Sequence, residues 1–99
     1  MILQLSEGRF EVLERDDLRR LKLRAPFGWD AAEIQSGLPF EVMIAPDYIW
    51  VREADLRELA GDGRGASGQD PIAGMINTAR KYGFYDEVRG SVRVHIEFY

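Results

Sequence analysis

The residues with the most chemical potential lie in one short run, Gly63-Arg64-Gly65-Ala66-Ser67-Gly68. Its spacing matches G-x-G-x-x-G, in which glycines let backbone N–H groups approach a pyrophosphate at a helix amino terminus. A helix is expected from Pro71, and Asp86 lies 18 residues beyond Gly68, about where a ribose-binding acid would stand. The surroundings argue against that chemistry. The motif should follow a strand, yet Leu56, Leu59 and Ala60 have helical spacing, and Asp62 and Asp70 bring negative charge to the place a phosphate would occupy. The chain is also too short for two βαβ halves, and no Gly-Lys-Ser/Thr follows the glycines. Residues 61–70 therefore read as a surface loop. Gly63, Arg64, Gly65, Ser67 and Gly68 remain the candidates for a ligand loop under an alternative reading.

A second constellation sits at the end of the chain. Arg93, His95 and Glu97 are spaced two apart and so share one face of a strand, on which Glu97 could orient the imidazole or the pair could hold a metal. A metal site needs further ligands, and none with recognisable spacing is present. Cysteine is absent, the one histidine forms no cluster, and Ser6, Ser36, Ser67 and Ser91 have no nucleophile-elbow context. No catalytic residue, metal or cofactor is assigned on this basis. Arg93, His95 and Glu97 read first as a solvated sheet face that pairs with charges on neighbouring strands, and next as a contact face, since a terminal strand often lies at a sheet edge and edges recruit partners. Phe27-Gly28-Trp29 offers two large aromatics in a turn, either a lip for a partner or a plug over the core.

The third feature is a basic run, Arg15, Arg19, Arg20, Lys22 and Arg24, opposed only by Asp16 and Asp17. Arg19, Arg20, Lys22 and Arg24 are weak candidates for an anionic partner. The net charge of −4 argues against nucleic acid, whose phosphates supply most non-specific affinity. Tyr82, Phe84 and Tyr85 read as core and rim rather than a base-stacking platform.

These residues need elements to position them. Ninety-nine residues with 45% hydrophobic content suffice for one folded domain, taken as 1–99. Val92, Val94, Ile96 and Phe98 interleave with Ser91, Arg93, His95, Glu97 and Tyr99, the period-two pattern of a half-buried strand. Ile2–Leu5 and Arg9–Val12 suit a hairpin about Gly8, and residues 39–51 suit a second one turning at Pro46-Asp47. Residues 14–24 fit either a helix capped by Asp16 or Asp17 or a strand with Leu21 and Leu23 inward. Asp30 and Glu33 have capping-box spacing for a helix ending at a left-handed Gly37. The spacing of Leu56, Leu59 and Ala60 predicts a short helix stopped by Gly61. Asp70 and Pro71 begin the best-defined helix, 71–82, with Ile72, Met75, Ile76 and Ala79 on its inner stripe and Gly74 permitting a close backbone approach.

The expected architecture is a two-layer α+β fold: a mostly antiparallel sheet, including hairpin 39–51 and strand 91–98, packed against helix 71–82 and shorter helices. No stretch approaches the ~18–20 apolar residues of a membrane span. The first residues lack a basic region followed by a long apolar run, so no secretory leader is expected. Absence of cysteine fits a reducing compartment, and a soluble cytoplasmic protein is expected. The favoured function is a small non-enzymatic interaction module that binds protein, its own copies included, through a sheet edge or an exposed strand face. The alternative is a small-molecule or nucleotide-binding protein, enzymatic or not, that uses residues 61–70 at the start of helix 71–82.

Overall fold

Alternation in the last residues builds the centre of the molecule. In the computed structural model, which describes residues 1–15, 17–61 and 70–99, the chain forms seven strands and three α-helices among those residues. The strands are β1 (Ile2–Ser6), β2 (Arg9–Leu13), β3 (Lys22–Ala25), β4 (Met43–Ile44), β5 (Tyr48–Arg52), β6 (Tyr85–Asp86) and β7 (Ser91–Phe98). The helices are α1 (Ala31–Gly37), α2 (Glu53–Leu59) and α3 (Pro71–Lys81). All seven strands join one mixed sheet in the order β2-β1-β3-β7-β5-β4, with β6 pairing beside the start of β7. Four of the six pairings are antiparallel; β1–β3 and β3–β7 are parallel.

The inner face of this sheet is aliphatic. Leu3 and Leu5 of β1, Leu23 and Ala25 of β3, Ile49 and Val51 of β5, and Val92, Val94 and Ile96 of β7 are all buried. Ile34 of α1, Leu56 of α2, and Ile72, Ile76 and Ala79 of α3 complete the core from the helical layer. The result is the expected two-layer α+β architecture.

The helix ends follow from their caps. Asp30 accepts from Glu33 N at 2.8 Å while the Glu33 carboxylate accepts from Asp30 N, a complete capping box. Asp70 accepts from Ala73 N with one oxygen and from Arg57 Nη1 at 2.7 Å with the other; Arg57 also holds Glu53. That hydrogen bond from Arg57 keeps the Asp70 carboxyl below its usual range. One carboxylate thus starts α3 and ties it to α2. Gly83, at φ +79, ends α3 beyond its cap Tyr82.

Several local expectations change. Both readings of 14–24 hold in part: Asp17 caps a 3₁₀ turn at Leu18–Arg20, and β3 then sends Leu23 and Ala25 inward. The strand expected from residue 39 shortens to Met43–Ile44, while residues 38–42 are irregular and Phe40 and Val42 still pack on the core. Gly37 is the last helical residue rather than a left-handed cap. Its missing side chain serves packing, since a Cβ there would stand 3.2 Å from Leu5 Cδ2. Gly74 shows the reverse: a Cβ would meet nothing within 4 Å, so no neighbouring backbone approaches it. The strand 91–98 is central, not at an edge, because both of its sides are paired.

Two substitutions test this packing by denaturant unfolding. Gly74→Ala should stabilise the protein by about 0.5–1 kcal/mol, because alanine gains helix propensity with free space around it. Leu23→Ala, fully buried between β1 and β7, should cost about 2–5 kcal/mol. A destabilised Gly74→Ala or a neutral Leu23→Ala would contradict the account.

Candidate interaction surface

The helices lie on the aliphatic side of the sheet, and side chains at paired positions line up in rows across the other side. One row runs Glu11, Gln4, Arg24, Glu97; a second runs Leu13, Ile2, Lys22, His95, Tyr48; a third runs Arg93, Trp50, Met43. Residues directly opposite in register share a face, so this open surface extends from the β2 edge to β4.

Its middle is held by charge. Glu97 receives Lys22 Nζ at 2.7 Å and Arg24 Nε at 3.5 Å, and Arg24 Nη1 donates to Gln4 Oε1 at 3.2 Å. The Arg24 guanidinium also covers the Tyr99 ring, 4.9 Å from its centroid. The hydrogen bond from Lys22, aided by the charges of Lys22, Arg24 and His95, keeps the Glu97 carboxyl below its ordinary value of 4.5. His95 is exposed between Lys22 and Tyr48. Glu97 is therefore engaged by two cations from the neighbouring strand.

The other half is aromatic. The Arg93 guanidinium lies over Tyr48 at 4.1 Å and near Phe84 at 5.3 Å, so it joins aromatics from the two sides of β7. Tyr48 meets Trp50 edge-on, with centroids 6.1 Å apart. Beside Trp50 is a shallow recess of about 340 Å³, lined by Glu41, Met43, Arg52, Arg89 and Ser91 among others. Ser91 departs from the alternation: it belongs to the outer row yet is only 3% exposed. Its hydroxyl donates to Arg89 O at 3.3 Å.

The structure brings Arg93, His95 and Glu97 onto one face, as their spacing requires. It separates the other candidates. Phe27 is 85% exposed in the turn after β3, whereas Trp29 packs against the core beside Gly37, so only the tryptophan acts as a plug. Arg19 and Arg20 sit on the 3₁₀ turn, while Lys22 and Arg24 are committed to Glu97, so the basic run is not one stripe. Gly63, Arg64, Gly65, Ser67 and Gly68 lie outside the described residues. Their flanks are described: α2 precedes them, not a strand, and Asp86 accepts from Val88 N and Arg89 N within its own turn. Tyr85 is half-buried, but Tyr82 and Phe84 are exposed rim, beside a groove of about 660 Å³ between α3 and Leu18–Leu21.

Sequence reasoning missed Tyr48, Trp50 and Met43 as members of the open face. The signal was there: Tyr48 and Trp50 alternate with Ile49 and Val51, which places both aromatics opposite the core. Among the described residues no group of three or more His, Cys, Asp or Glu is placed to hold a metal ion, and no helix is long and apolar enough to cross a membrane. Comparison with family models, with curated proteins and with solved structures gave no match.

The depressed Glu97 carboxyl gives a pH test. A group whose acidity rises on folding stabilises the folded state above its unfolded value, and that contribution fades as pH falls through the lower folded value. Glu97→Gln should therefore lower stability near neutral pH, and its unfolding curve should converge with that of the original protein as pH drops below about 4.5. A gap between the two proteins that does not change with pH would mean the carboxylate charge is immaterial.

Proposed function

We propose that this protein is a small non-enzymatic interaction module that associates with copies of itself through its sheet. The observation that carries this reading is the one-sided layering. Three helices pack on the aliphatic face, and the opposite face presents Arg93, Tyr48, Trp50, Met43, His95 and Glu97. Arginine, aromatic residues and methionine are the types enriched at protein contacts. Although the chain is acidic overall, the cations Lys22, Arg24 and Arg93 stand near the Glu97 carboxylate at the centre of this face.

Light scattering over a concentration series tests the self-association. A mass above that of the 11.3 kDa monomer is expected at protein concentrations of about tens of micromolar, a range typical of modest interfaces. A strict monomer throughout that range would sink the proposal.

A further inference from the structure

We infer that the self-contact is made by β2, whose free edge pairs antiparallel with the β2 edge of a second copy about a two-fold axis at Phe10. This rests on the self-association proposed above and assigns it to the edge of the sheet, which leaves the open face for contact with another protein. Among the described residues β2 pairs with β1 alone and ends the sheet on that side. It is five residues long, Arg9–Leu13, with none of the proline or lysine that commonly blocks a sheet edge.

The direction of its free backbone groups follows from the hairpin. Only Glu7 and Gly8 separate the paired residues Ser6 and Arg9, and a two-residue connection closes on a hydrogen-bonded pair. Such pairs recur at every second position, so Arg9, Glu11 and Leu13 turn their peptide groups toward β1. Phe10 and Val12 turn theirs outward. A two-fold antiparallel pairing must therefore set outward residues opposite outward residues, which leaves few registers.

Charge selects among them. Centred on Glu11, the pairing sets Glu11 against the partner's Glu11, a like-charge contact. Centred on Val12, it sets Glu11 against the partner's Leu13, which gives the carboxylate no cation across the axis. Centred on Phe10, it sets Arg9 against the partner's Glu11 and Glu11 against the partner's Arg9. Both are non-hydrogen-bonded positions, where cross-strand side chains come closest. Arg9 and Glu11 already pair within the chain at 2.5 Å on an exposed surface, so the dimer links two such pairs into an alternating ring of four charges. On the inner side Phe10 meets Phe40 edge-on at 6.4 Å and is only half-buried. The same register brings two Phe10–Phe40 pairs together and covers ring edges that the single chain leaves in water. Val12 then faces the partner's Gly8, where no side chain intrudes.

Charge exchange tests both surface and register by light scattering or sedimentation, with circular dichroism and thermal unfolding to confirm folding. Arg9→Glu alone and Glu11→Arg alone should each weaken the dimer about tenfold or more, since each makes two like-charge contacts. The double variant Arg9→Glu/Glu11→Arg should regain the dimer. An equimolar mixture of the two single variants should form a mixed dimer, because their charges complement each other. If both single variants keep the mass and affinity of the original protein, self-association stands but β2 is not its surface. If the single variants dissociate but neither the double variant nor the mixture recovers, the Phe10-centred register is wrong. If the original protein is a monomer, this inference and the proposal beneath it fail together.

Discussion

The pairing of β7 on both sides is the constraint on which the rest of the structure depends. Its second half bonds β3 in parallel, its first half bonds β6, and β5 runs along its other side. The last strand in sequence is thus the one that joins the amino-terminal hairpin and β3 to the β4–β5 hairpin. Neither group of strands reaches the other without it. Tyr99 reinforces the junction: its N–H donates to Ala25 O at 3.0 Å, its carbonyl accepts from Phe27 N at 2.8 Å, and its hydroxyl donates to Leu5 O. Such contacts between opposite ends of a chain must pay loop-closure entropy before they return any stability, so the sheet has to form cooperatively.

The same strand sets the sidedness. Val92, Val94 and Ile96 lie under the helical layer, so Arg93, His95 and Glu97 lie on the side away from the helices. Arg93 covers Tyr48, Arg24 covers Tyr99, and Lys22 and Arg24 pair with Glu97, so cations lie over two of the aromatic rings on this face. A surface of this kind is stable when free and retains groups able to make specific contacts.

What the sequence made legible was local. The capping box at Asp30, the Asp70-Pro71 helix start, the hairpin at Gly8 and the alternation of 91–98 each depend on residues within a few positions of one another, and each appears where those residues place it. What it concealed was order and company. Nothing in Ser91–Phe98 says which strands flank it, and a parallel β3 depends on residues some seventy positions away. Gly74 and Gly37 show the same limit. The role of each glycine depends on which side chain lies across from it, open space in one case and Leu5 in the other. The candidate face was half legible for a related reason: the spacing of Arg93, His95 and Glu97 fixed their common side, but Tyr48 and Trp50 join them only through register with β5.

The two ends of the sheet are unequal, and that inequality bears on how copies would assemble. At one end β4 is two residues long, too short to template a neighbour; at the other β2 offers five. A sheet with two long edges could add copies at both and grow without limit. With one among the described residues, an antiparallel pairing across a two-fold axis would use the same edge on each chain and leave no long edge over, so assembly would close at two. The axis stands perpendicular to the sheet, which keeps both helical layers on one side and sets the two open faces next to each other. Edge pairing would therefore leave Arg93, Trp50 and their neighbours uncovered and double the area they present, separating the surface that would make a dimer from the surface free to contact something else.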